Sequence, residues 1–125
     1  MSEGAQVLVV EDDPSLAKLL STALTKAGYR VSVANDGLEA LVEIDRAQPK
    51  PQLIIADIMI PELDGVSLVR ALKTQQATKN IPVILVTSKT DAKSIAEGIS
   101  AGAKYYVTKP FVLDDLLTKV KRALS

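Results

Sequence analysis

Short apolar runs recur along this chain, and between them the apolar residues change to a helical period. Val7-Leu8-Val9-Val10, Leu53-Ile54-Ile55-Ala56, Val83-Ile84-Leu85-Val86 and Tyr105-Tyr106-Val107-Thr108 are near-continuous, as strands are when helices cover both faces. Tyr29-Arg30-Val31-Ser32-Val33 alternates instead, which suits an edge strand. Five strands separated by five helical segments predict an α/β fold of (βα)5 type, one parallel five-stranded sheet with right-handed crossovers.

The helices announce themselves by their caps. Asp13 predicts the N-cap of a first helix, with Pro14 at its first position, Leu16, Leu19, Leu20, Ala23 and Leu24 inward and Gly28 closing it. Asp36-Gly37-Leu38-Glu39 has the form of a capping box and opens a second helix, with Leu38, Leu41 and Val42 inward. Asp64 or Gly65 opens a third carrying Val66, Val69 and Leu72, and Thr90 or Asp91 opens a fourth that ends at Gly102. Leu113, Leu116, Leu117, Val120 and Leu124 define the fifth.

The 125 residues suffice for one domain, with neither repeat nor internal linker, so residues 1–125 are expected to form a single unit. Fifteen Lys+Arg balance fifteen Asp+Glu, so no net field draws the whole chain toward nucleic acid or an anionic membrane. The sequence has no cysteine and no histidine, which excludes a thiolate site, an imidazole base, the usual zinc site and a phosphohistidine. The start lacks the form of a signal peptide, and no apolar run approaches the ~18 residues of a membrane helix. A cytoplasmic protein is expected.

Chemistry gathers where the strands end. Glu11-Asp12-Asp13, the lone Asp57, Thr87-Ser88 and Lys109-Pro110 each follow an apolar run, and open parallel sheets bind their ligands at that edge. A buried strand that ends on one carboxylate is costly unless the carboxylate has work to do. A carboxylate is a competent nucleophile toward phosphorus.

Val10-Glu11-Asp12-Asp13, Asp57-Ile58-Met59-Ile60-Pro61 with Asp64-Gly65, Val86-Thr87-Ser88 and Tyr106-Val107-Thr108-Lys109-Pro110-Phe111 together resemble the receiver domain of two-component response regulators. The resemblance runs from the first strand to the last helix. It implies a three-layer flavodoxin-like fold with strand order 2-1-3-4-5. It implies further that Asp57 is the phosphoacceptor and that Mg2+ is held by Asp12 and Asp57 directly, by Glu11 through water and by the Met59 main-chain carbonyl. Asp13 stays outside that set as a helix cap. Thr87 and Lys109 would hold the phosphoryl oxygens, Lys109 pairing with Asp57 before transfer across a candidate cis Lys109–Pro110 bond.

Signal output would follow from Thr87 moving and Tyr106 turning inward behind it, changing the surface of the fourth helix, fifth strand and fifth helix; from the residues alone Tyr106 is equally compatible with an edge-strand aromatic. Gly98, inside that fourth helix, costs ~1 kcal/mol relative to alanine, so Gly98→Ala is expected to stiffen it. Gly65 and Ser88 are expected to matter for being small, Gly65 permitting a tight turn and Ser88 leaving the phosphoryl pocket open. Met59 and Lys89 flank the acceptor, and apolar Met59 predicts slow self-dephosphorylation that Met59→Asn accelerates. The implied partners are a sensor histidine kinase or a histidine phosphotransfer protein, docking on Pro14, Ser15 and Leu16 with Pro110 and Phe111 opposite, and a downstream effector or output domain. Leu16 is equally compatible with the core. Neither nucleic acid nor membrane is expected to be contacted directly.

Three rival readings are a flavodoxin-like hydrolase, a DNA-binding regulator in its own right and an unphosphorylated docking module. The first lacks histidine and cysteine for activating water, and the second lacks a basic recognition helix, since Asp114 and Asp115 offset Lys119, Lys121 and Arg122. The third expects one of the five functional positions to be lost, and all five are filled. A phosphoacceptor switch rather than an enzyme is the resulting expectation.

Overall fold

The computed structural model describes residues 4–88 and 91–125. Its elements alternate without exception: β1 (Gln6–Val10), α1 (Pro14–Lys26), β2 (Arg30–Ala34), α2 (Gly37–Arg46), β3 (Leu53–Asp57), α3 (Gly65–Lys73), β4 (Val83–Ser88), α4 (Ala92–Ala101), β5 (Tyr105–Lys109) and α5 (Leu113–Ala123). All strand pairs are parallel and the order is β2-β1-β3-β4-β5, the flavodoxin-like arrangement. Alternating β2 does lie at an edge.

Alternation of side chains splits each strand between two cores. Val7, Val9, Ile55, Ile84 and Val86 pack with Leu20 and Leu24 of α1 and Leu116 and Val120 of α5. On the other face Leu8, Val10, Ile54 and Leu85 pack with Ala40 and Ile44 of α2 and Leu68, Val69 and Leu72 of α3.

The predicted caps are in place. Asp13 accepts from the Ser15 amide at 2.9 Å, Asp36 from Glu39 at 2.7 Å, Asp64 from Ser67 at 2.8 Å and Asp91 from Ser94 at 3.2 Å. Gly102 ends α4 in the left-handed region, φ 118°. Lys109–Pro110 is cis, and so is Gln48–Pro49, which the sequence did not signal.

Three inward assignments are corrected. Leu38 and Val42 of α2 and Leu19 of α1 are exposed. The line that meets the sheet is Gly37, Ala40 and Ile44 in α2, with Leu41 half-buried beside it, and Ala17, Leu20 and Leu24 in α1. Small residues let those helices approach closely, so the contact line follows them and the larger apolar neighbours fall on its flank.

Gly98 is the only fully buried residue of α4, and a Cβ there would be driven into the Leu85 Cδ1 methyl. Alanine there requires either that methyl or the helix to give, a packing contact beyond the helix propensity that the sequence shows. Among the described residues no helix is long and apolar enough to cross a membrane.

Candidate functional site

Register sets the site. Val10 lies beside Ala56, Asp57 beside Val86, Thr87 beside Thr108 and Ser88 beside Lys109. The strands therefore finish nearly level, and the residues at or just past their ends share one mouth.

Asp57 is 4% exposed and Glu11 2%, two buried carboxylates at the ends of adjacent strands, Asp57 closing β3 and Glu11 just past β1. The Lys109 ammonium donates to Asp57 Oδ2 and lies 3.9 Å from Glu11 Oε1. The Met59 amide donates to Asp57 Oδ1 at 3.0 Å, and the Asp13 amide to Glu11 Oε2 at 3.1 Å. Burial pushes the Glu11 carboxyl up to about 7; the Asp13 hydrogen bond opposes that rise and the neighbouring Asp57 adds to it. For Lys109 burial works to lower the pKa, but the bond to Asp57 and the charges of Asp57, Glu11 and Asp12 together raise it above the ordinary lysine value. The resting site holds more buried acid than one ammonium offsets.

That excess is the test of fit for a cation. The donors are all oxygen, the choice of hard divalent ions. Asp12 is exposed, and among the described residues no three acidic side chains already converge as a metal cluster. Such a set fits an ion that keeps much of its water, as magnesium does, better than one held in an all-protein cage.

Thr87 is 1% exposed and its Oγ1 has no hydrogen-bond partner among the described residues. A buried hydroxyl without a partner costs about 1–3 kcal/mol, and this one sits one step past the Asp57–Val86 register pair. Ser88 is exposed at the end of β4. Tyr106 is half exposed, lining a surface cleft of about 330 Å³ with Ile99, Lys104, Asp115 and Lys119. Leu16 and Phe111 are half-buried against the α1/α5 core, while Pro14, Ser15 and Pro110 are exposed. Lys89 and Thr90 lie outside the described residues.

Gly65 has a reason other than the turn expected of it. The Gly65 amide donates to Ile58 O at 2.9 Å, and a Cβ there would lie 2.7 Å from Asp57 O. It lets α3 start directly against the end of β3. The sequence reading missed Gly37 and Glu62, which shape the loop from β3 to α3; an Asp-Gly pair at a helix start reads as a cap and nothing more.

The fold and the acid-lined mouth define a doubly wound α/β protein with a polar site at its strand ends. Residues 7–121 match the response regulator receiver domain, and the chain belongs to that family. It is 35% identical over 119 residues to the DNA-binding response regulator MtrA of Mycolicibacterium smegmatis, covering 95% of this chain and 50% of MtrA. The chain thus spans about half the length of the curated relatives it matches. The solved chemotaxis response regulator CheY4 of Vibrio cholerae superposes with a TM-score of 0.88 at 35% identity, over 96% of this chain and 98% of that one. The receiver domain of sensor histidine kinase PA1611 from Pseudomonas aeruginosa, described with a magnesium ion in its active-site cleft, gives 0.87 at 29% over 97% and 98%.

Proposed function

We propose that Asp57 accepts a phosphoryl group from a histidine kinase or a histidine phosphotransfer protein, and that the acyl phosphate resets the surface formed by α4, β5 and α5. The observation that carries the reading is the buried Thr87 hydroxyl, without a partner among the described residues, one register step past an Asp57 that two donors already hold.

The Met59 amide fixes one Asp57 oxygen and Lys109 the other, so the nucleophile is oriented before the donor arrives. A carboxylate oxygen forms the O–P bond as the donor's P–N bond breaks, and the electron pair leaves on the imidazole nitrogen. Asp12, Asp57 and the Met59 carbonyl would hold Mg2+ directly, and Glu11 would act through water. When bound, the ion supplies positive charge that neutralises the acids and the transferring oxygens. Lys109 then turns from Asp57 to a phosphoryl oxygen, and Thr87 gains the acceptor it lacks.

Thr87 moving toward the phosphoryl group leaves space behind it. Tyr106 pairs with Leu85, two residues before Thr87 on the same strand, and from its exposed position it can turn into that space. The protein acts as a switch and turns over no external substrate. Its downstream partner is an effector or an output domain, and the balanced charge of α5 gives no reason to expect direct nucleic-acid contact from this unit.

Incubation with a small phosphodonor and magnesium should give a base-labile adduct at Asp57, lost in Asp57→Asn and on chelation. A label that persists with alanine at position 57 sinks the proposal. Met59 is 73% exposed with no group to orient water, so Met59→Asn should shorten the lifetime of the adduct.

A further inference from the structure

The loop from β3 to α3 is pinned from outside its own elements. Leu63 N–H donates to Pro61 O at 2.7 Å, closing a three-residue turn centred on Glu62, whose φ is 69°. A non-glycine residue in that region is strained and persists only where its surroundings hold it. The surroundings here are the first residue of α2. Gly37 N–H donates to the same Pro61 O at 3.2 Å, and a Cβ on Gly37 would be driven into Leu63 O and lie 2.7 Å from both Leu63 C and Leu63 Cβ. The α2 backbone therefore lies flush against the loop, with no room for a side chain between them.

The other end of the loop is the site itself. Met59 N–H donates to Asp57 Oδ1 at 3.0 Å, and Gly65 N–H returns to Ile58 O at 2.9 Å. A shift at residues 61–63 must pass to Met59 on one side and Gly65 on the other, because both are anchored within the same short segment.

We propose that Gly37 is a positioning residue for the acceptor loop: α2 clamps the strained turn at Glu62 and so holds the Met59 amide and carbonyl where Asp57 and its cation use them. This rests on the reading of Asp57 and Met59 given above, and it adds a contact from a helix that takes no part in the chemistry. An acceptor loop fixed by outer contacts follows the rule that supporting partners tune a metal site nearly as strongly as its ligands.

The test compares wild type, Gly37→Ala and Ile44→Val, the last thinning the core contact of the same helix away from the loop. Magnesium affinity is measured by calorimetry, and amide hydrogen exchange is followed in the metal-free proteins. Gly37→Ala should bind magnesium about tenfold more weakly and speed exchange at the Met59, Leu63 and Gly65 amides, while Ile44→Val leaves both unchanged. Coupling is reciprocal, so in wild type magnesium should slow exchange at the Gly37 amide, a measurement that needs no variant to fold. Unchanged affinity and unchanged loop exchange in folded Gly37→Ala overturn the proposal, as does a Gly37 amide indifferent to bound magnesium. Failure of wild type to bind magnesium would instead sink the functional reading, and metal-free exchange in Gly37→Ala would still decide whether the clamp exists.

Discussion

On the β1/β3 side of the site the two buried acids are held, Asp57 by the Met59 amide and Lys109 and Glu11 by the Asp13 amide, and α3 is seated by Gly65, Val66, Leu68, Val69 and Leu72. On the β4/β5 side the Thr87 hydroxyl has no partner among the described residues, Tyr106 is half exposed, and α4 buries a single residue, a glycine. In the proposed switch one half is preorganised for transfer, and the other has an unmet hydrogen bond among the described residues and a weakly anchored helix. Preorganisation aids the acceptor because its geometry is fixed before reaction. Weak anchoring suits the output side, because a local event shifts an equilibrium only where the competing states lie close in energy.

The largest effect expected from this asymmetry is on stability. Leu68→Ala in α3 should cost about 2–5 kcal/mol, whereas Ile99→Ala in α4 should cost less than about 0.5 kcal/mol, both read from urea denaturation. Similar costs at the two positions would erase the distinction.

The held half should also show itself in pH dependence. Folding raises Glu11 from an ordinary 4.5 to about 7, so the folded protein binds that proton more tightly than the unfolded chain. The metal-free protein should keep this contribution below about pH 4.5 and lose it as pH rises through about 7. Glu11→Gln should flatten the profile. Thermal unfolding between pH 5 and 8 in a chelator checks both.

Gly98→Ala gains about 1 kcal/mol of helix propensity but forces Leu85 or α4 to move, and overpacking costs about 1–3 kcal/mol. A net loss of about 1 kcal/mol is expected, less when Leu85 is also shortened, and a double-mutant cycle reads the coupling. Net stabilisation by Gly98→Ala would mean that Leu85 yields freely and that α4 is not seated through this contact.

The smallest change carries the most information about the loose half. Thr87→Val keeps the shape and removes the unpartnered hydroxyl, so it should stabilise the unphosphorylated protein by about 1 kcal/mol while slowing acceptance of phosphoryl. Loss of stability instead would show the hydroxyl already satisfied.

Much of this was legible before any coordinates. Asp13, Asp36, Asp64 and Asp91 cap helices because capping is decided within three residues, and the strands follow from runs of apolar side chains. The acids, hydroxyl and ammonium at the strand ends were visible as soon as the strands were. Leu38, Val42 and Leu19 were misplaced because hydrophobic period marks a stripe about a third of the helix wide, and only packing chooses its centre. Gly98 reads from the sequence as a weak point in helix propensity and Gly65 as a small residue at a turn, and the structure uses the smallness of both for close approach, to Leu85 and to Asp57.

By itself, then, the chain order of residues settled which segments are strands, which are helices, and which chemical groups wait at their ends, because each of those depends on neighbours a few positions away. Only the assembled sheet decided that Glu11 and Asp57 are buried together against Lys109, that the Thr87 hydroxyl has no partner among the described residues, and that Gly37 lies flush against Leu63. Those facts depend on which faces meet across long stretches of chain, where burial and close contact, rather than local preference, set the energy.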